Sequence, residues 1–479
     1  MAKRIQLTKL LISIVLILFL SAFPNLRASQ SSSTIPGFDC YRTSETIQQT
    51  MQALHSTYPN LIQLTNIGVS FEGQPIQLIK LGNQTTQIDK PRLVLISGLR
   101  GNSFAPVEIN LQFIENLLTT YGKNPSSTWI LDFTEVYAIL LANPDGRLRA
   151  ELQAEAGQQV TWQNNTNLSY CSSNPTGVRL NHNFPFEWSV GNPDPCSDNY
   201  HGPSAGSEPE TQALKSFLES LADNPNPTLL LHLDSYENSI ITPYQYDADI
   251  PNPHLQDLFI LANKLAYDTW ANPLAANQSS FEIPGNLLDY AFWELDIPGL
   301  TYKLGTFQSG EHSTTCLYFS NYLLDQTKNA LLRAAHASPS AYALGYGPET
   351  EIAIIDSTPL SISFEGSSDD FSFYKYYVSN YSSVDKITWS IDFPPWHPLA
   401  EVNLVNDYKS DSELPLISRF SLTLPYDDLD PRKHILYVQA WDSAGLDSQS
   451  YPGFVSSIYI DFPHFSDSNI FYYVPMIFK

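Results

Sequence analysis

The stretch that decides the fold is Leu93 to Leu118, "LVLISGLRGNSFAPVEINLQFIENLL". Its first four residues form a short continuous apolar run, the mark of a strand buried on both faces. From Phe104 onward the apolar residues recur at helical spacing, so strand, loop and amphipathic helix follow one another within 26 residues. The loop between them, Arg100-Gly-Asn-Ser103, sits where α/β enzymes place their chemistry, outside the carboxyl end of a buried strand. It offers no obvious nucleophile, base or metal ligand.

The alternation extends in both directions. Upstream, "TSETIQQTMQALHSTYPN" has helical periodicity with a Thr or Ser cap, and "LIQLTNIGVSFEGQPIQLIKLGN" reads as two strands joined by a Glu-Gly turn. Downstream, the strands "TEVYAILLAN" and "TLLLHLDSY" and the helices "PETQALKSFLESLA" and "LLDQTKNALLRAAHA" continue it. Apolar strands between amphipathic helices predict an α/β domain, a mixed sheet covered on both faces, over residues 38–345. From Glu351 the helical period stops. Short aromatic and β-branched runs ("LSISFEG", "KITWSID", "RFSLTLPY", "HILYVQAWD", "SSIYIDF") are cut by turn residues, which predicts an all-β, immunoglobulin-like sandwich over 351–479.

Length and composition agree with two domains: 479 residues exceed what one ordinary core holds. Lys3 and Arg4 precede an apolar run from Leu10 to Phe23, and small residues follow near Ala28. That pattern predicts a signal peptide over 1–28 and a Ser-rich linker over 29–37, hence a secreted or cell-surface chain. The run is short of the ~20 apolar residues a membrane-spanning helix needs, and no later segment is longer. A formal charge of −24 disfavours nucleic acid and anionic lipid as partners. Four cysteines in an exported chain suggest two disulfides.

Several strings, in order, resemble the zinc carboxypeptidase family of metallocarboxypeptidase A type: "IGVSFEGQPI", "ANPDG" (142–146), "LNHNFPFEW" (180–188), "YHGPSAGSEPET" (200–211), "DSYENSIITPY" (234–244), "GNLLDYAF" and "IPGLTYKLGT". The resemblance covers roughly Gly37 to Leu344. It implies that family's α/β fold, a zinc cofactor and hydrolysis of C-terminal peptide bonds. It also implies a staple between Cys171 and Cys196 around "LNHNFPFEW"; Cys40 and Cys316 are the two other cysteines. Read on its own residues, Asn143-Pro-Asp-Gly146 is a turn signal after a buried strand.

Carried over position by position, the resemblance places the three zinc ligands, a His and a Glu three residues apart and a later His, at Arg100, Ser103 and Asp234. The general base falls on Lys303, the oxyanion-stabilising Arg on Gln163, and the Asn-Arg pair that grips a substrate carboxylate on Asn181 and His182. The substrate-covering Tyr falls on Phe281, and Leu288 lies at the pocket floor. A guanidinium cannot shed its charge to ligate a metal, Ser is a poor ligand, and an ammonium is no base at neutral pH. The pocket is nonetheless expected to stay mildly electropositive, with Asp234 bridging Arg100 and Lys303 where zinc would stand.

The expectation is therefore a secreted, catalytically inactive carboxypeptidase homologue without a cofactor. It would bind a peptide C-terminus or other anion through Arg100, Asn181, His182, Asp234, Lys303, Phe281 and Leu288. Two alternatives stand beside it. One is an active zinc carboxypeptidase with a relocated metal, for which His232, His182, Glu108 and Glu237 are available. The other is a cell-surface adhesion protein whose former pocket is simply filled.

Overall fold

The computed structural model describes residues 33–86, 89–244, 252–275, 284–305, 315–370, 383–410, 417–442 and 450–461. The expected signal segment lies outside these, as does Phe281. Thr34–Ile35 pairs with Phe38–Arg42, and Ile35 is fully buried. The compact unit therefore starts at Thr34, inside the stretch expected to be linker.

The centre is an eight-stranded sheet. In chain order its strands are β1 (Ile62–Val69), β2 (Pro75–Leu81), β3 (Arg92–Ser97), β4 (Glu135–Ile139), β5 (Thr228–Ser235), β6 (Ser239–Ile241), β7 (Asn272–Leu274) and β8 (Gly299–Leu304), and their spatial order is β1-β2-β4-β3-β5-β8-β6-β7. The middle four, β4-β3-β5-β8, run parallel, while β1 with β2, β2 with β4 and β8 with β6 pair antiparallel. The sheet is mixed, as expected. Along β3, Leu93 and Leu95 enter one apolar cluster and Val94 and Ile96 another, so the two-residue period sends alternate side chains to opposite faces.

Helices cover both faces. One face packs against α1 (Ser44–Thr57), α2 (Phe104–Thr120), α3 (Pro125–Phe133) and α4 (Pro144–Glu155), together with α6 (Pro253–Leu265) and α8 (Leu324–Ala337). The other packs against α5 (Pro209–Ala222) and α7 (Leu287–Leu295). Thr43 caps α1 as its position suggests, its hydroxyl accepting from the Thr46 amide. The Asn143-Pro-Asp-Gly segment, read as a turn, is instead the start of α4: the Asn143 side chain accepts from the Gly146 amide and Pro144 takes the first helical turn. Both readings share the same local chemistry, and only the residues beyond distinguish them.

Disulfides join Cys40 to Cys316 and Cys171 to Cys196. After Leu344 the described residues form two four-stranded antiparallel sheets. One contains Glu349–Ser357, Ser361–Asp369, Tyr408–Ser410 and Ile417–Pro425, and the other Val384–Ile391, Asn403–Leu404, His434–Asp442 and Ser456–Ile460. Phe364 and Phe420 from the first share a core with Ile387, Leu436 and Val438 from the second. This region also packs on the α/β part: Tyr437 meets Trp129 edge-on, and the Tyr459 hydroxyl lies 2.7 Å from that of Thr128. Residues beyond Asp461 lie outside those described.

Candidate functional site

Arg100 and Asp234 stand at the carboxyl ends of adjacent parallel strands, β3 and β5, where ligands of open α/β sheets bind. The Arg100 loop is held tightly. Gly98 has φ of +72°, and a Cβ there would lie 2.6 Å from the Leu140 carbonyl oxygen. The Asn143 side chain donates to the Leu99 carbonyl, and the Gly101 amide donates to that of Gln163. Both contacts fix the path from which Arg100 projects.

The three positions where the resemblance puts zinc ligands are closed on one another. Arg100 Nε lies 3.3 Å from Asp234 Oδ2, and Arg100 Nη1 donates to the Ser235 carbonyl at 3.0 Å. Ser103, at the N-cap of α2, does not use its hydroxyl to cap the helix. It donates instead to Asp234 Oδ1 at 3.2 Å and lies 2.9 Å from the Ser235 hydroxyl. Burial alone would push the Asp234 carboxyl up, but Arg100, helped by His232, Lys303 and the Ser235 backbone, outweighs it and holds the group below the usual carboxylate range.

The expectation that Asp234 bridges two cations needs correcting. Lys303 is level with Asp234 in the β5-β8 register, yet its ammonium pairs with Glu237 Oε2 at 3.1 Å. Glu237 follows β5, and its amide donates to the Gly305 carbonyl just after β8, which brings the carboxylate back over Lys303. The potential base position therefore holds a neutralised ion pair.

Gln163 and His182 meet a residue that sequence reasoning missed. Arg179 Nη1 donates to Gln163 Oε1, with Asn164 Oδ1 at 3.5 Å, and its Nε has no partner among the described residues. Burial, then the neighbouring Arg100, lowers the Arg179 guanidinium to about 9. Burial followed by Arg179, Arg100 and His201 lowers the His182 imidazole to about 3, so it is neutral at physiological pH. The available signal for Arg179 was a lone cation between Val178 and Leu180 in "TGVRLNHN". Asn181 Oδ1 accepts from the Leu287 amide at the start of α7, and Leu288 on that helix is buried against Gly299.

The residues weighed for a relocated metal are not assembled. Glu108 faces Arg42, whose Nε lies 3.5 Å away, and Glu237 belongs to Lys303. His232 is buried on β5 with Nδ1 3.5 Å from the Thr301 hydroxyl and Nε2 unpartnered, and burial with Arg100 and Lys303 outweighs Asp234 to lower it to about 4. Among the described residues no group of three or more His, Cys, Asp and Glu side chains is placed to hold a metal ion.

A profile of the zinc carboxypeptidase family matches residues 47–328. The chain belongs to that family. Mouse carboxypeptidase A2 is 29% identical over 219 residues, 45% of this chain and 49% of the relative. The "Inactive metallocarboxypeptidase ECM14" of Blastomyces gilchristii is 30% identical over 252 residues, 50% of this chain and 40% of that protein. The chain thus spans about half the length of the curated relatives it matches. Two solved structures share its fold. Thrombin activatable fibrinolysis inhibitor superposes with a TM-score of 0.54 at 20% identity, covering 62% of this chain and 74% of the other. Carboxypeptidase A from Helicoverpa armigera gives 0.54 at 22%, covering 63% and 74%.

For this carboxypeptidase-family chain, the donor set does not fit the family's zinc. A catalytic zinc site needs three nitrogen, sulfur or carboxylate donors converging on one point. Here only Asp234 is such a donor, and both its oxygens already engage Arg100 and Ser103. A permanently charged guanidinium stands at a metal-ligand position and neutralises the one carboxylate present.

Proposed function

We propose that this chain is a catalytically inactive, exported carboxypeptidase homologue that binds an anionic ligand, with a peptide C-terminus as the reference case, in the former active-site pocket. One observation carries this reading: where the family binds metal, Asp234 instead forms an ion pair with Arg100 and accepts a hydrogen bond from Ser103. Without zinc, the family's nucleophile, a water whose pKa the metal lowers from 15.7 to about 7, has no generator. Lys303, paired with Glu237, supplies no base in its place. A relative named as an inactive metallocarboxypeptidase supports the same reading.

The electrostatics favour an anion. Arg100 and Lys303 are paired with Asp234 and Glu237, Arg179 is attracted only at longer range by Asp234 and Asp198, and His182 is neutral. Two disulfides are consistent with an oxidising compartment, and we assign residues 1–28 as the export signal. We read the two C-terminal sheets as an immunoglobulin-like sandwich over 351–479 that packs, spaces or binds.

Metal analysis of the purified, signal-free protein beside a peptide-hydrolysis assay tests the proposal. The expected result is sub-stoichiometric zinc and no chelator-sensitive cleavage. Near-stoichiometric zinc with cleavage abolished by chelator would overturn it.

A further inference from the structure

Arg179 is a buried cation that forms no direct ion pair with any described residue, although Asp234 and Asp198 attract it from further off. Its residue surface is only 8% exposed, and among the described residues no carboxylate lies within ion-pair distance of it. Its Nη1 reaches two neutral amide oxygens, on Gln163 and Asn164, its Nε has no partner, and its Nη2 makes no hydrogen bond to the described protein. The other two cations of the site differ. Arg100 has Asp234 and Lys303 has Glu237. Arg100 is close enough to depress Arg179, and Gln163 ties Arg179 to the Arg100 loop, its backbone carbonyl accepting from the Gly101 amide and its side chain from Arg179.

The Arg100 side chain is 14% open and its Nη2 is likewise uncommitted to the described protein. Two neighbouring guanidiniums, each with an Nη2 that makes no hydrogen bond to the described protein, are the donor type that gives charge-assisted bonds to a planar or tetrahedral oxyanion. Buried charge persists when something compensates it. Among the described residues Arg179 has no ion-pair partner, and Asp234 and Asp198 attract it only at longer range.

We propose that Arg179 is the specificity-determining anchor of the pocket, gripping an oxyanion together with Arg100 and taking over the roles expected at Gln163 and His182. This rests on the reading of the pocket as an anion-binding site. The oxyanion is a carboxylate or a phosphate, and the probes separate the two.

The test is calorimetric titration of the signal-free protein with an N-acetylated dipeptide ending in leucine as free acid, the same dipeptide as C-terminal amide, and inorganic phosphate. Wild type should bind one of the two oxyanion probes at least tenfold more tightly than the amide. Arg179→Gln should remove that preference by a factor of ten or more while leaving any binding of the amide unchanged, and Arg179→Lys should keep part of it. A merely structural role would weaken acid and amide alike, and that result, or a change below twofold, overturns the proposal. If Arg100→Ala weakens the anion and Arg179→Gln does not, the pocket reading stands and the Arg179 assignment falls. If neither oxyanion binds wild type, both fall. Should Arg179→Gln fail to fold, wild-type crystals soaked in the better probe decide: density within hydrogen-bond reach of Arg179 supports the assignment, and density on Arg100 alone, or none, refutes it.

Discussion

Replacing Arg100 by Met leaves a buried carboxylate alone. Asp234 is 2% exposed, and the attraction across 3.3 Å at an effective dielectric of 20 is about 5 kcal/mol. Arg100 keeps some contact with solvent, so part of that attraction only offsets its own desolvation, and the Ser103 hydroxyl remains as a donor to Asp234. The net loss should fall near the lower end of what breaking one side of a buried pair costs, about 3 kcal/mol. Asp234→Asn in the Arg100→Met background removes the orphaned charge and should recover most of it, giving a coupling of about 2 kcal/mol.

Urea unfolding followed by tryptophan fluorescence, with slope and midpoint fitted for the four proteins, reads this directly. The pH dependence supplies a sign check. In wild type the folded Asp234 carboxyl lies below its unfolded value, so its contribution is present above the unfolded value and is lost as pH falls through the folded one. Without Arg100, burial dominates and the group rises. The variant's deficit should therefore be full at pH 7.5 and shrink toward pH 4 as Asp234 protonates. Single substitutions that add within ~0.5 kcal/mol, or a deficit independent of pH, would refute the ion-pair replacement.

Three further outcomes are expected. The triple substitution Arg100→His, Ser103→Glu and Asp234→His should give a chain that takes up one zinc per molecule in metal analysis, because the strand-loop-helix frame persists around these positions; no uptake would mean the frame itself has moved. Burial outweighs hydrogen bonds from Phe71 and Asn165 to raise the Glu210 carboxyl to about 7. A folded value above the unfolded one means stability is full at acid pH and is lost as pH rises through about 7. Glu210→Gln should then gain on wild type by roughly 2 kcal/mol above pH 7 and show no gain near pH 4 in parallel unfolding curves. Removing the Cys171–Cys196 bridge, which closes a separation of 25 residues, by the double Cys→Ser change should cost about 3 kcal/mol in the same assay; an unchanged midpoint would show that the loop is held without it.

Much of the fold was legible because its signals are local. Continuous apolar runs such as Leu93–Ile96 and Leu229–Leu231 suit strands covered on both faces, and α1, α5 and α8 declare themselves by period, α1 also by its Thr43 cap. Where the signal was shared between two structures, reading by residue fell short: Asn143-Pro-Asp-Gly146 suits both a turn and a helix start, and the stretch called linker contains Ile35, whose burial depends on a distant core.

The site divides in the same way. That Arg100, Ser103 and Asp234 cannot hold zinc as the family does follows from residue type, since donor chemistry travels with the side chain wherever it is placed. Which cation meets which carboxylate does not. Arg100 finds Asp234 across 134 residues and Lys303 finds Glu237 across 66, while Arg179 has no ion-pair partner among the described residues, because ion pairing depends on ångström distances set by strand register and loop path. The sequence determined what the pocket had lost; only the tertiary structure decided which charge it has left over.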